Sequence, residues 1–396
     1  MLDHNKILGR EYGLFDKDIL AYEEKLTEIV QSSKFLVLGG AGSIGQAVVK
    51  EIFRRNPSGI HVVDINENNL AELVRDIRSS FGYIDGEFKT FCLDIASQEY
   101  STFISNDGNY DYVMNLSALK HVRSEKDPFT LMRMVEVNIL NTIKTIEQSN
   151  LKSVSKYFCV STDKAANPVN MMGASKKIME MFLYQHSKSI PISTARFANV
   201  AFSDGSLLHS FGNRIQKNQP LVAPNDVQRY FITSKEAGEL CLMSCLLGEN
   251  KDIFFPMVSE DFNLIKLTKI AEIYLDYLSL KPFLCDSEEE ARYYFQNSPK
   301  KGYWPCFFSK SDTTGEKEYE EFYEHGDILD LKKFYGVGIV KNKMLSDESV
   351  LSDFVKEIDN LKQSEFWSRE QIIDLFKTTL QDFDHKDTGK FLDEKM

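Results

Sequence analysis

Residues 35–45 read Phe35-Leu36-Val37-Leu38-Gly39-Gly40-Ala41-Gly42-Ser43-Ile44-Gly45. An apolar run, a glycine-rich turn and the start of an amphipathic stretch make a strand–turn–helix unit, the setting of a dinucleotide-binding turn. Gly39 permits the tight turn, Gly42 lets backbone approach a pyrophosphate, and Gly45 lets helix and strand pack closely. The helix N-terminus at Ser43 and Ile44 offers free N–H groups and partial positive charge to phosphates. Asp64 ends the next apolar run, 22 residues after Gly42, where a carboxylate would hold ribose hydroxyls. Ile65, Asn66, Glu67 and Asn68 follow with no Arg or Lys. A 2′-phosphate would meet Asp64 without a cationic partner, so NAD is expected over NADP.

The alternation continues along the chain. Strands are predicted at 35–38, 60–64, 88–94, 112–116, 157–161 and 192–197, and helices at 44–55, 69–80, 131–149 and 172–187. Such alternation implies an α/β fold, a Rossmann-type doubly wound parallel sheet covered on both faces. The expected plan is an N-terminal helical arm (1–33), an NAD-binding domain (34–200), a smaller α/β substrate-binding lobe (201–345) with an insertion near 281–308, and a helical tail (346–396). Asp94 and Ile95, closing the third strand, would flank an adenine. Ser117 and Ala118, just past the fourth, complete the candidate cofactor set.

Composition narrows the partners. Of 396 residues, 47 are Lys or Arg and 59 Asp or Glu, a net charge of −12. That argues against nonspecific binding to nucleic acid or an anionic membrane, but not against a small phosphorylated ligand. No run approaches the ~20 apolar residues of a membrane span, and the first residues lack the apolar core of a secretion signal. The expectation is a soluble cytoplasmic protein. The six cysteines are scattered, and the seven histidines show no HxxxH spacing. Cys92 and Cys159 read as buried strand residues, and no metal site is expected.

Further motifs stand in one order. Ala118-Leu119-Lys120-His121-Val122 follows the fourth strand, and Ser161-Thr162-Asp163-Lys164-Ala165-Ala166-Asn167-Pro168 the fifth. Arg196-Phe197-Ala198-Asn199-Val200, Arg229-Tyr230-Phe231 and Thr314-Gly315-Glu316-Lys317 come later, and Leu8-Gly9-Arg10-Glu11 precedes them all. Together with the Gly-x-x-Gly-x-x-Gly turn, they resemble the CapD-like nucleotide-sugar 4,6-dehydratases of bacterial polysaccharide biosynthesis, within the extended short-chain dehydrogenase/reductase superfamily. Leu8-Gly9-Arg10-Glu11 resembles the lead-in of the membrane-anchored members, so the chain looks like their catalytic half standing alone. The resemblance implies UDP-N-acetylglucosamine 4,6-dehydratase activity with bound NAD. Hydride leaves C4, a base takes the acidified C5 proton, the C6 hydroxyl departs with an acid's help, and hydride returns to C6.

Thr162, Asp163 and Lys164 stand just beyond the carboxyl end of a strand, where open α/β sheets bind ligands. A carboxylic acid beside an amine supplies the two proton-transfer groups that elimination requires, Asp163 as acid and Lys164 as base. The roles conflict with the pairing, because a close Asp–Lys pair favours both charged forms. Thr162 would hydrogen-bond near the C4 oxygen. Lys176 matches the lysine of the superfamily's Tyr-x-x-x-Lys pair, but the position four residues earlier is Met172. A thioether cannot accept the hydroxyl proton. Met-x-x-x-Lys resembles the large dehydratase branch, which implies acid–base chemistry from Thr162-Asp163-Lys164 and retention of configuration at C5. Lys176 would hold the nicotinamide ribose, with Met172 packed beside ring or sugar. Lys120, Asn199, Arg229 and Glu316 are the candidate substrate-binding residues. Thr313-Thr314 replaces the family's usual Arg-Pro, leaving nucleotide recognition open. Two alternatives stand beside the dehydratase, a nucleotide-sugar 4-epimerase and a non-catalytic NAD-binding protein. A UDP-sugar is the expected partner, and the apolar stripes of long helices, arm and tail suggest a homo-oligomer.

Overall fold

The computed structural model describes residues 3–259, 262–297, 299–311, 319–341 and 348–390. Its centre is a nine-stranded sheet: β1 (Lys34–Leu38), β2 (Gly59–Asp64), β3 (Glu87–Cys92), β4 (Tyr112–Asn115), β5 (Lys156–Thr162), β6 (Ile192–Phe197), β7 (Asp252–Pro256), β8 (Ile328–Asp330) and β9 (Val337–Lys341). The order is β3-β2-β1-β4-β5-β6-β7-β9-β8. The first seven run parallel, and β9 and β8 add antiparallel pairings at one edge. This is the doubly wound Rossmann-type sheet that the alternation implies. Chain order reverses between β1 and β4, the switch point that leaves a crevice at the strands' carboxyl ends.

The central strands are rich in Val, Ile and Phe and buried on both faces. Cys159 is buried in β5, but Cys92 is exposed, against expectation. It closes β3, an edge strand with only half-buried or exposed residues. Three of the nine strands come from beyond residue 200.

The helices that position the site are α1 (Asp16–Gln31), α2 (Ser43–Phe53), α3 (Pro128–Val135), α4 (Met171–His186), α5 (Ser234–Leu247), α6 (Glu348–Gln363) and α7 (Arg369–Thr379). Asp127 caps α3 and Asn170 caps α4 through side-chain oxygens, each placing a short polar residue at the helix start. The helix expected over 131–149 is interrupted by one π turn, Glu136–Leu140, before continuing as Asn141–Leu151. Gly238 of α5 lies against Ala47 of α2, where a Cβ would meet backbone at 2.8 Å.

A second, three-stranded parallel sheet builds the smaller lobe. Its central strand is Tyr303–Ser309, flanked by Lys281–Leu284 and Leu221–Pro224. Segment 281–308 therefore supplies part of the lobe's own framework. The arm is woven in as well. Ile7 and Leu8 join the lobe's core, while Phe15, Ile19, Leu26 and Val30 join the main one. The tail's Leu351, Phe354, Ile358, Ile372 and Phe376 are buried in one cluster with Leu131, Ile178 and Phe182 of α3 and α4. The stripes expected to serve a second copy are thus used within the chain. Among the described residues, no helix is long and apolar enough to cross a membrane.

Candidate active site

The glycine turn adopts the geometry its residues predict. Gly39 has φ +70°, and a Cβ there would lie 2.8 Å from Ser117 N. A Cβ on Gly45 would overlap the carbonyl oxygen of Gly39, so only glycine lets α2 start this close. No side chain caps α2, which begins after extended Gly42. Its first N–H groups are thus offered to an anion. Asp64 accepts from Ala41 N and Asn66 N, each at 2.9 Å. It therefore braces the turn, and each oxygen keeps acceptor capacity for a ligand hydroxyl.

A cavity of about 260 Å³ opens at the switch point, lined by Gly39, Gly42, Asp64, Asp94, Ile95, Ser117 and Ala118 among others. These seven are expected cofactor residues. Arg133, which sequence reasoning missed, also lines it, 3.6 Å from Asp94 Oδ2. Ser43, Ile44, Gly45 and Lys176 are not in that lining. Ser43 Oγ accepts from Asp204 N at 2.9 Å, joining the start of α2 to the lobe. Lys176 is buried and donates to Val160 O at 3.1 Å, with Met179 Sδ at 3.4 Å. Burial pushes its amine down from the ordinary lysine value. Met172, also buried, stands one turn earlier on α4.

Thr162, Asp163 and Lys164 form one hydrogen-bonded group at the end of β5. Thr162 Oγ1 donates to Asp163 Oδ1 at 2.8 Å, and Lys164 Nζ lies 3.2 Å from both Asp163 oxygens. Asp163 is 3% exposed. Thr162 also caps the single turn Asp163–Ala165, which fixes the direction of both neighbours. A Cβ on Gly173 of α4 would overlap the carbonyl oxygen of Lys164, so this glycine lets α4 press against the turn. Two features missed in the sequence brace this arrangement. Asn138, in the π turn, accepts from Leu119 N at 2.9 Å and donates to Leu119 O at 3.0 Å and Ser175 Oγ at 2.9 Å. Here a local helix irregularity places a polar clamp against the loop after β4. Arg196, fully buried, holds Glu180 and donates to Phe322 O at 2.9 Å, while Ser161 Oγ donates to Glu180 at 2.7 Å.

The candidate substrate residues divide. Lys120 Nζ reaches Asp204 O at 2.7 Å, and burial pushes its amine down. His121 is pushed down by burial and by the charges of Lys120 and Arg123. Asn199 and Arg229 converge instead on Glu320, which the motif reading did not single out. Asn199 Nδ2 donates to Glu320 Oε1 at 2.5 Å, Tyr230 N to Oε2 at 3.3 Å, and Arg229 Nε lies 3.6 Å away. Burial and the charge of Asp163 push the Glu320 carboxyl up to about 6, against Arg229 and Lys164. Glu316, with Thr313 and Thr314, lies outside the described residues.

A relative in Methanocaldococcus jannaschii, described as an uncharacterized membrane protein, is 29% identical over 372 residues, which is 89% of this chain and 98% of that one. The capsular polysaccharide biosynthesis protein CapD of Staphylococcus aureus is 28% identical over 268 residues. That match spans 66% of this chain but only 43% of CapD. Among solved structures, Pen from Bacillus thuringiensis shares the fold with a TM-score of 0.63 at 22% identity, covering 80% of this chain and 89% of that one. DesIV, a dTDP-glucose 4,6-dehydratase from Streptomyces venezuelae, shares it at 0.55 and 15% identity, over 73% and 88% of the two chains. Residues 35–285 match a family described as polysaccharide biosynthesis protein, and since that is more than half of the 396 residues, the chain belongs to this family.

Proposed function

We propose that the chain is an NAD-dependent nucleotide-sugar 4,6-dehydratase that removes water from a UDP-linked N-acetylhexosamine, UDP-N-acetylglucosamine first, in cytoplasmic assembly of a surface glycan. The observation that carries this reading is the hydrogen-bonded Thr162–Asp163–Lys164 group, its aspartate buried, at the end of β5, the strand paired with β4, whose following residues Ser117 and Ala118 line the switch-point cavity. The residues fit a dinucleotide. The uncapped start of α2 and the turn at Gly39 and Gly42 would receive the pyrophosphate, Asp64 the adenosine ribose, Asp94 and Ile95 the adenine side, and Lys176 the nicotinamide ribose. NAD, when bound, supplies the reversible hydride exchange with the sugar. Asp163 would deliver a proton to the departing C6 oxygen, Lys164 would take the C5 proton, and Thr162 would hydrogen-bond near the C4 oxygen. Lys120, Asn199 and Arg229 would bind the substrate in this reading, and Glu316 joins them from the family motif alone. Homo-oligomerisation stays part of the proposal.

The test is to incubate the purified protein with UDP-N-acetylglucosamine and follow the sugar nucleotide by mass spectrometry. The expected product has lost one water, and NMR of it should show retained configuration at C5. An unchanged substrate mass across a panel of UDP-, GDP- and dTDP-sugars overturns the reading.

A 4-epimerase is the second reading. UDP-glucose 4-epimerase of Rickettsia bellii is 27% identical over 229 residues. Epimerisation needs neither a C5 base nor a C6 acid. An Asp163→Asn variant with intact turnover and a product of unchanged mass would favour it.

A further inference from the structure

Asp94 and Arg133 meet across the cofactor cavity from opposite sides. Asp94 stands just past β3, and Arg133 lies on α3, which follows β4. In the sheet, β2 and β1 separate those two strands, so the pair spans the switch-point crevice. Among the described residues that line the cavity, Arg133 alone is cationic. Its guanidinium makes no hydrogen bond among the described residues. It approaches Asp94 Oδ2 at 3.6 Å, an ion-pair distance too long for a hydrogen bond.

The fold has little use for this contact. Asp94 Oδ1 accepts from Ala96 N at 2.9 Å, which sets the turn past β3. Lys144 Nζ donates to Ala96 O at 2.9 Å and Ser97 O at 3.2 Å, so the same segment is already fastened to the helix Asn141–Leu151. Lys144 is not in the cavity lining, and Arg133 is. The side chains of Arg133 and Asp94 are 46% and 34% exposed, and a pair that open to water adds little stability. A guanidinium is planar and always charged, and it can lie flat on an aromatic ring while its edge keeps a carboxylate. In NAD the adenine is such a ring, and Asp94 stands on the adenine side of the reading above. The pyrophosphate has donors of its own at the start of α2.

We propose that Arg133 is a cofactor-binding residue whose guanidinium, aligned by Asp94, covers the adenine of NAD and slows its release. This rests on the assignment of the cavity to NAD, and not on which sugar is dehydrated. Slow release suits a reaction that borrows a hydride and returns it, since a cofactor lost midway leaves the sugar oxidised.

Calorimetric titration of the full chain with NAD and with 5′-AMP, after dialysis over charcoal to strip nucleotide, tests it. Arg133→Met should weaken both ligands by about tenfold. Release of NADH, followed by its fluorescence in stopped flow, should quicken by a similar factor. The thermal melt of the stripped variant should match that of the wild type. Arg133→Lys keeps the charge but not the plane and should recover little. Unchanged affinity in Arg133→Met overturns the inference. So does full recovery in Arg133→Lys, the mark of simple attraction to phosphate, or a loss for NAD that spares AMP. A clearly lowered melt would make the pair structural and also overturns it. If the wild type binds neither NAD nor AMP, the cofactor assignment falls and the inference with it. If Arg133→Met behaves as expected but the wild type dehydrates no sugar nucleotide, the proposed function fails alone.

Discussion

At Gly173 a single hydrogen separates a working geometry from a collision, because a Cβ would overlap the carbonyl oxygen of Lys164. Gly173→Ala must move either α4 or the turn that carries Asp163 and Lys164. The expected cost is about 1–3 kcal/mol in a thermal melt. Turnover should fall by roughly tenfold or more, since small misplacements of reacting groups are expensive. Full activity in this variant would show that the turn tolerates the shift. Arg196 is the second decisive residue. Burial alone would push Glu180 up, but the Arg196 guanidinium outweighs it and holds the carboxyl below its ordinary value. Arg196→Met leaves that carboxyl buried without its partner and should cost about 3–5 kcal/mol in denaturant titration. Adding Glu180→Met should recover much of it. A depressed acid stabilises the fold above its unfolded value and ceases to as pH falls through its folded one. The wild type should therefore lose this contribution on acidification below about pH 4, and the double variant should lack that loss. The sequence displayed the glycine turn, Asp64 and the Thr162–Lys164 group openly, because their chemistry is local. It hid Glu320, Asn138 and Arg133, whose roles depend on what distant segments bring against them.

At the scale of elements, α5 carries a charge where burial opposes it. Glu239 is 1% exposed at the side chain and has Lys235 Nζ at 3.2 Å, a lysine it shares with Asp16. Burial is the leading cause that pushes its carboxyl up to about 7. An acid raised on folding binds its proton more tightly in the folded state, so stability falls as pH climbs from the ordinary glutamate range to about 7. Glu239→Gln removes that slope and should gain about 1–3 kcal/mol at pH 8 and little at pH 4. Paired melts at the two pH values check it, and an equal effect at both contradicts it. The tail helices make a different prediction. Ile178, Met181 and Phe182 of α4 are buried under α6 and α7. A chain cut after residue 345 would expose that face, and sedimentation should show self-association where the full chain shows less. The tail's apolar spacing announced α6, but not which helix it covers. The π turn at Glu136–Leu140 was invisible to periodicity, since one inserted residue scarcely changes an apolar rhythm.

For the whole molecule, most of the strand–helix alternation up to residue 197 was legible from short apolar runs and amphipathic stretches, but the helix Gln98–Asp107 between β3 and β4 was missed. Beyond residue 197 several strands have only two residues, and strand partners lie far away in sequence. Nothing local announces that 252–256 and 337–341 extend the main sheet. Two contacts tie later segments to the site, Ser43 to Asp204 and Arg196 to Phe322 of the main core. A double change that removes both contacts, Ser43→Ala with Phe322 displaced through Arg196→Met, should weaken NAD binding in calorimetry by more than either alone. Additive effects would mean that the two joints act independently.

The arm gives this architecture an order in time. Asp18, with no exposed surface, accepts from Tyr335 N at 2.6 Å and Gly336 N at 2.7 Å, and Arg10 holds Glu236 at 3.0 Å. These attachments lie 226 to 318 residues downstream of the arm residues that make them. On a ribosome the arm emerges before these partners and must wait for them to complete the contacts. Until then its apolar stripe is a surface for helper proteins to shield, and the amides of Tyr335 and Gly336 should be among the last to gain protection from solvent exchange during refolding.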